Sequence, residues 1–359
     1  MRILKGFSVG LVTLLATVAM AQAQTAKPAA GKGDLRIYFV DVEGGQSTLF
    51  VAPSGESMLV DTGSPDSKNP NAPRDASRIA AVCKLAGVTK IDNLVITHYH
   101  SDHVGGLPQL VALVPVGRFI DHGINREGAD YQGGASTVAG YDAYQKVLAS
   151  SGADHLTAKP GDILPIKAFH VEVVSADGEV IAKPLALGGE QNPACATSPR
   201  KDIEGSENDR SVGMVITFGK TRILDLGDLT WGKEPGLVCP VNKLGNVDVY
   251  VASHHGLDRS GSPALLDAIA PRVAVIDNSG RKGAAASTVD TIRGSGRLQG
   301  LWQLHTAEGN DAAHNTDESH IANLPGPDAG NYLELSVHPS GVISVTNPRT
   351  GDTVDYPAK

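Results

Sequence analysis

Four metal-ligand side chains within six residues constrain this chain more than any other feature of its sequence. The segment Thr97-His98-Tyr99-His100-Ser101-Asp102-His103 follows an apolar run over Ile91–Thr97 that predicts a buried strand, and the pattern over Val104–Val114 predicts a helix. Ligands of α/β folds commonly bind where strands end. We therefore expect the cluster at the carboxyl edge of a sheet.

The spacing within this cluster predicts two metal ions. His98 and His100 are separated by one residue, so on an extended segment they point the same way and can hold one ion. Asp102 and His103 begin the next turn and can reach a second ion beside it. Imidazole and carboxylate ligands suit Zn²⁺, with Mn²⁺ and Fe²⁺ as alternatives.

Composition and charge restrict the class of partner. The chain has 359 residues, of which 41% are hydrophobic and 19% charged, as expected of a folded globular protein. A net charge of -8 provides no field to attract nucleic acid. We expect a small-molecule substrate rather than long nucleic acid, and the sequence leaves the oligomeric state open.

The amino terminus predicts export. Residues 1–23 combine Arg2 and Lys5 with an apolar run and a small-x-small site, Ala21-Gln22-Ala23, as in a secretory signal peptide. An uncleaved anchor is the alternative. Residues 24–33 have the composition of a linker, and residues 34–359 form the expected hydrolase domain. The mature protein is expected in the periplasm or secreted, without a membrane segment.

Three cysteines remain after cleavage, so at most one intrachain bridge can form. Cys195 and Cys239 lie in loop-like sequence and are the expected pair. Cys83 shares a helical face with Ile79 and Val82 and is expected to be buried.

The remaining pattern alternates strands and helices, and the second half repeats the order of the first. Expected elements are strands at Leu35–Val42, Ser47–Ala52, Met58–Val60, Gly117–Asp121, Phe169–Ser175, Ser211–Phe218, Thr221–Leu226, Val247–Ala252 and Arg272–Ile276, helices at Arg74–Ala86, Val138–Ala149 and Ser262–Ile269, a polar insert over Asp177–Asn208, and two strands within Gly330–Tyr356.

Over Leu35–Ile276 the sequence resembles the metallo-β-lactamase superfamily. The resemblance rests on Asp61 in Val60-Asp61-Thr62-Gly63, on the His98–His103 cluster, and on Asp228 in Leu226-Gly227-Asp228. Three further segments resemble the subgroup that includes the hydrolase-like domain of the competence DNA-uptake protein: residues 40–47, 208–211 and 253–256.

This resemblance implies an α/β fold of the αββα sandwich type with a dinuclear metal site at one edge. It also implies that His98 and His100 hold one ion, that Asp102 and His103 hold the other, and that Asp228 bridges the two. Asp61 would support the ligands from behind.

The sequence departs from the family pattern in two places. No third His precedes the hairpin that leads to Asp228, and Glu207 is a provisional substitute there. The final His of the family is expected from His254 or His255, with His254 taken as the metal ligand, or it is lost, because Gly283–Ala286 contains none. His122 ends a strand and is a provisional ligand or substrate contact.

We therefore expect an exported metal-dependent hydrolase that uses a metal-bound hydroxide, most directly on a phosphodiester or related ester. Asp102 would orient the hydroxide, and His254, His255 or His122 would stabilise the leaving group. A lactone, lactam or carboxylic ester hydrolase is the alternative, as is a degenerate binding module. The number of metal ions bound per chain would distinguish a binding module from the two kinds of hydrolase.

Overall fold

The computed structural model describes residues 33–66, 68–69, 73–128 and 137–358. The expected signal peptide and residues 24–32 of the expected linker lie outside the described residues. Elements are numbered below in chain order.

The described strands are β1 (Leu35–Phe39), β2 (Thr48–Val51), β3 (Ser57–Val60), β4 (Asn93–Val95), β5 (Arg118–Asp121), β6 (Asp154–Thr157), β7 (His170–Ala176), β8 (Glu179–Val180), β9 (Glu190–Gln191), β10 (Gly213–Phe218), β11 (Thr221–Asp225), β12 (Val241–Asn242), β13 (Val249–Val251), β14 (Val273–Ile276), β15 (Gly300–His305), β16 (Ile321–Asn323), β17 (Leu333–Val337), β18 (Ile343–Asn347) and β19 (Asp352–Tyr356). The described α-helices are α1 (Arg74–Ala86), α2 (Ser101–Val104), α3 (Leu107–Leu110), α4 (Val138–Ser151), α5 (Pro235–Val238), α6 (Pro263–Ile269) and α7 (Ala286–Arg293). Short 3₁₀ turns lie at Pro193–Ala196, Glu207–Arg210, Ser253–Gly256, Ala312–His314 and Glu318–His320.

Two sheets face each other between two layers of helices. Within the described residues, one sheet has the order β19-β18-β17-β1-β2-β3-β4-β5-β6 and the other β16-β15-β14-β13-β11-β10-β7-β8. Side chains such as Ile37 and Ile223 fill the space between the sheets. Alternate side chains of the strands face outwards. On the first sheet, Leu59 belongs to a buried cluster shared with α1 to α4, and on the second, Leu224 belongs to one shared with α5 to α7. The expected αββα sandwich is confirmed.

Local periodicity predicted α1 to the residue. Ile79, Val82 and Cys83 are buried on one face, and Gly87 ends the helix in a left-handed conformation. Cys83 is a free, buried thiol, as expected.

The single helix expected over Val104–Val114 is wrong. The helical turn α2 begins earlier, inside the His cluster, and α3 follows after Gly105 and Gly106. A Cβ on Gly106 would lie 2.1 Å from the Thr62 carbonyl oxygen, so the chain approaches Thr62 where only glycine fits. The break separates the ligand-bearing turn from the packing helix.

Other boundaries also differ from the expectation. The carboxyl-terminal region has three strands rather than two, since β19 extends the sheet beyond β18. Helix α7 was not expected, and the polar insert contains β8 and β9. A disulfide joins Cys195 to Cys239, as expected, and β9 pairs with β12 close by.

Parallel strands bring the sequence motifs to one edge. Strands β3, β4 and β5 run parallel in one sheet, and β11, β13, β14 and β15 run parallel in the other. The edges are tied together by hydrogen bonds from Val212 N to the Thr97 carbonyl (2.9 Å) and from Gln46 Nε2 to Asp225 Oδ2 (2.7 Å). The segments that follow these strands therefore meet.

None of the helices in the described ranges combines the length and the apolar character needed to cross a membrane.

Candidate metal centre

Four ligand-type side chains converge at the shared edge of the two sheets: Asp102, His103, Asp228 and His255. His103 Nε2 lies 3.6 Å from Asp102 Oδ2 and 3.3 Å from Asp228 Oδ2. His255 Nε2 lies 3.4 Å from Asp102 Oδ2 and 3.5 Å from Asp228 Oδ1. The two imidazoles thus face the same pair of carboxylates.

These separations fit one tetrahedral cation. Four ligand atoms at about 2.1 Å from a tetrahedral zinc ion lie about 3.4 Å from one another. In addition, His103 Nε2, His255 Nε2 and Asp228 Oδ1 are buried without a hydrogen-bond partner, which costs free energy unless another group satisfies them. The donor set and its unsatisfied atoms therefore suit a divalent metal ion.

Asp61 orients His103 from behind. Its Oδ2 accepts from His103 Nδ1 at 2.7 Å and from Thr97 Oγ1 at 2.6 Å, and its Oδ1 accepts from Thr97 N at 2.8 Å. Because Nδ1 of His103 is engaged in this way, Nε2 is the atom that faces the cluster. Asp61 thus contacts His103 directly, and its supporting role stays a prediction.

Asp228 contacts histidines from both sheets' edges, as well as the two imidazoles of the cluster. Gly227 has φ +54, and a Cβ there would come 2.9 Å from the Thr97 side chain, so the chain turns into the cleft where glycine is required. From that turn, Asp228 Oδ2 also lies 3.9 Å from His98 Nε2 and 3.4 Å from His254 Nε2.

Adjacent His254 and His255 take different positions. Both have φ +56, in the left-handed region that costs non-glycine residues about 1 to 2 kcal/mol each. This backbone directs His255 into the four-residue cluster, with its Nδ1 3.4 Å from Asp277 Oδ1. His254 contacts Asp228 only through Oδ2 and has its Nδ1 3.4 Å from Ser260 Oγ.

His98 and His100 form a second pair beside the cluster. His98 Nε2 lies 3.0 Å from His100 Nδ1, so both atoms face one point. The other nitrogen of His100, Nε2, lies 3.3 Å from Glu127 Oε1. Among the described residues, no third ligand-type group comes within 4.8 Å of both histidines to complete a site.

Glu207 lies apart from this pair. Its Oε2 is 2.8 Å from His122 Nε2, and its Oε1 accepts from Arg126 N at 2.7 Å. The two provisional residues therefore contact each other, while Glu127 takes the place beside His100. Glu127 was missed because its segment, Asn125-Arg126-Glu127, resembles an ordinary polar loop.

Several side chains of the cluster have pKa values far from their ordinary ones. Burial disfavours the imidazolium of His103, but Asp228 and Asp102 overcome this and raise its pKa to about 10. Burial also disfavours the charged forms of Asp102 and Asp228, yet His103 holds the pKa of both carboxyls well below the usual value. Burial lowers the pKa of His254 to about 4. Both carboxylates are thus ionised and able to bind a cation.

A second acidic group lies outside the centre and is balanced within the protein. Asp41 accepts from His305 Nε2 at 2.8 Å and pairs with Arg78 Nη1 at 3.0 Å. His305 Nε2 lies 4.0 Å from Glu43. The charge of Asp41 is therefore neutralised by His305 and Arg78, and no bound ion is needed to account for it.

Comparison with known proteins shows which family this region is similar to. Residues 41–185 match the family model described as Metallo-beta-lactamase superfamily. The match contains Asp61 and the His98–His103 cluster, while Asp228 and His255 lie beyond it.

Two curated relatives match more of the chain. The Competence protein ComA of Neisseria gonorrhoeae is 26% identical over 268 residues, which cover 72% of this chain and 30% of that protein. Recombination protein 2 of Haemophilus influenzae is 24% identical over 274 residues, which cover 76% of this chain and 27% of that protein. The chain therefore spans less than a third of either relative. Among solved structures, a variant of the CmlA beta-hydroxylase of Streptomyces venezuelae is 15% identical, covers 76% of this chain and 52% of its own, and has a TM-score of 0.41.

Proposed function

We propose that the chain is a metal-dependent hydrolase of the metallo-β-lactamase superfamily, whose family model matches residues 41–185, and that its substrate is a phosphodiester or related ester. One observation carries the proposal: the Nε2 atoms of His103 and His255 lie 3.3 to 3.6 Å from carboxylate oxygens of Asp102 and Asp228, separations that suit ligands of one tetrahedral cation. We propose Zn²⁺ as that cation, since two of the ligands are imidazoles.

The metal would lower the pKa of a bound water and polarise the scissile oxygen. The chain's own residues position the reacting groups. Asp228 extends from the four-residue cluster towards His98, so the pair of His98 and His100 is proposed to take a second ion. Asp61 fixes His103 through Nδ1, and Asp102, the partly exposed ligand, faces the substrate side.

His254 is the proposed stabiliser of the leaving group. Because burial lowers its pKa to about 4, this imidazole is neutral at pH 7. A neutral imidazole carries one N–H group, which can donate a hydrogen bond to a departing oxygen.

Metal analysis combined with a substrate panel tests the proposal. The purified chain is expected to contain zinc and to hydrolyse bis-p-nitrophenyl phosphate faster than a lactone or nitrocefin. Preference for the lactone or nitrocefin would favour the carbon-ester and lactam alternatives instead. Bound zinc without turnover of any substrate would favour a binding module, for which the incomplete ligand set at His98 and His100 is the specific support.

A phosphodiester is preferred because residues 40–47, 208–211 and 253–256 resemble the DNA-uptake subgroup. The net charge of -8 favours a small diester over long nucleic acid. A short dinucleotide and duplex DNA, compared as substrates, test this, and equal turnover of both would contradict it.

We also propose that the protein is exported to the periplasm or secreted. The pattern of residues 1–23 supports this, as does the disulfide between Cys195 and Cys239, a bond typical of oxidising compartments. Amino-terminal sequencing of the expressed protein is expected to find a start near Gln24. A retained Val9–Met20 segment would contradict it.

A further inference from the structure

A lysine reaches the metal-ligand cluster from the solvent side. Lys282 Nζ contacts Asp102 Oδ2, the same oxygen that faces His103 and His255. The Lys282 side chain is 38% exposed, whereas both imidazoles are fully buried. Among the described residues, no other lysine or arginine forms an ion pair with Asp102 or Asp228. Within the described residues the cluster therefore has one lysine or arginine partner, at its open side.

The loop that carries this lysine is fixed to the centre. Lys282 N donates to Ser279 Oγ at 3.0 Å, and Ser279 N donates to the Lys282 carbonyl at 2.9 Å. Two residues later, Ala284 N donates to the His255 carbonyl at 2.8 Å. Gly283 between them has φ +87, and a Cβ there would lie 2.1 Å from that same carbonyl oxygen. The position of Lys282 is thus set by the backbone of a ligand residue.

Once a divalent cation is bound, the positive charge of that ion and Lys282 together exceeds the negative charge that the ligands supply. Asp102 and Asp228 together balance one divalent ion, and the imidazole ligands are neutral when they bind metal. The ammonium can then bind a further anion beside the cluster. Asp102 is its one ion-pair partner among the described residues.

We propose that Lys282 binds a charged oxygen of an anionic substrate and so makes the site selective for phosphodiesters over neutral esters. The inference rests on the proposed hydrolase function and adds a substrate class to it. An ammonium is a compact charge with three donors, so one can remain on Asp102 while the others reach a phosphate oxygen.

The test uses the full zinc-loaded chain and two neutral substitutions on the same loop. Lys282→Met removes the ammonium and keeps most of the aliphatic stem. Arg281→Met is the matched control, because Arg281 is 90% exposed and pairs with Glu308 outside the cluster. Inorganic phosphate binding is measured by calorimetry, zinc content by mass spectrometry, and kinetics with bis-p-nitrophenyl phosphate and p-nitrophenyl acetate.

Lys282→Met is expected to weaken phosphate binding about tenfold or more and to raise KM for the diester. The loss in kcat/KM should be larger for the diester than for the neutral ester, and zinc content should not fall. Arg281→Met should match the wild type in every measurement.

Wild-type phosphate affinity in Lys282→Met would overturn the proposal, as would equal losses on the two esters. Tighter zinc binding without a change in phosphate affinity would also overturn it, because the lysine would then be a substitute for the metal. If the wild-type chain binds zinc but hydrolyses neither ester, the proposed function fails, and phosphate affinity still decides the role of Lys282.

Discussion

Glu127 Oε1 lies 3.3 Å from His100 Nε2 and also accepts from Glu207 N at 2.7 Å. A carboxylate can only accept, so this contact places the His100 proton on Nε2 and leaves Nδ1 free to face His98. The second Glu127 oxygen, Oε2, is buried without a hydrogen-bond partner. Glu127 is therefore a positioning residue for the His98 and His100 pair.

Glu127→Gln is expected to release this tautomer, because an amide can donate as well as accept. Nitrogen NMR of labelled His100 should show a mixture of tautomers in place of the Nε2–H form, and zinc content should fall towards one ion per chain. Glu56→Gln is the control, since Glu56 contacts the backbone N–H groups of Lys167 and Ala168. An unchanged His100 tautomer in Glu127→Gln would contradict the positioning role.

Asp228→Asn is expected to lower bound zinc to one ion or less per chain. The substitution is nearly isosteric, but it removes the negative charge that faces His98, His103 and His255 together. Two cations about 3.5 to 4 Å apart repel each other strongly without such an anion. Mass spectrometry of the purified variant measures the stoichiometry, and wild-type zinc content would contradict the bridging role.

His255→Ala and His254→Ala are expected to differ. His255 Nε2 faces both Asp102 and Asp228, so its loss should weaken zinc binding by more than about 100-fold. His254 contacts only one carboxylate oxygen, so the His254→Ala substitution should reduce kcat with little loss of zinc. Competition with a chelating dye measures both affinities. The reverse order would assign the ligand role to His254.

Asp225 predicts a pH dependence of stability. Burial raises the pKa of its carboxyl to about 7, against an ordinary value of 3.8. The folded state therefore keeps a proton that the unfolded state loses, and this group's contribution to stability falls as pH rises from about 4 to 7. The slope is at most about 1.4 kcal/mol per pH unit.

Asp225→Asn should remove this part of the pH dependence. Gln46 now donates to Asp225 Oδ2, and its amide can turn to accept from the new Asn side chain. Denaturant unfolding at pH 5 and pH 8 is expected to show the variant gaining stability relative to the wild type at the higher pH. A constant difference between the two proteins would place the Asp225 pKa near its ordinary value.

The sequence by itself determined the elements whose pattern is local. Helix α1 follows from the spacing of Ile79, Val82 and Cys83, and strands such as β1, β10 and β14 follow from alternation and apolar runs. The His98–His103 cluster was recognisable because its ligands are close together in the chain. Asp61 and Asp228 stood out through the family resemblance, at strand ends that parallel sheets bring to one edge.

Tertiary structure decided which of these side chains meet. Left-handed backbone at His254 and His255 selects which imidazole enters the cluster, and residue type alone carries no such information. Glu127, Lys282 and Asp277 reach the site from loops remote in sequence, so no local pattern marks them. Glu207 was the provisional substitute for the missing third His beside His98 and His100, but its carboxylate contacts His122 and Arg126 instead. The physical reason is common to all: a ligand set depends on where separate loops meet, whereas periodicity reports only one element at a time.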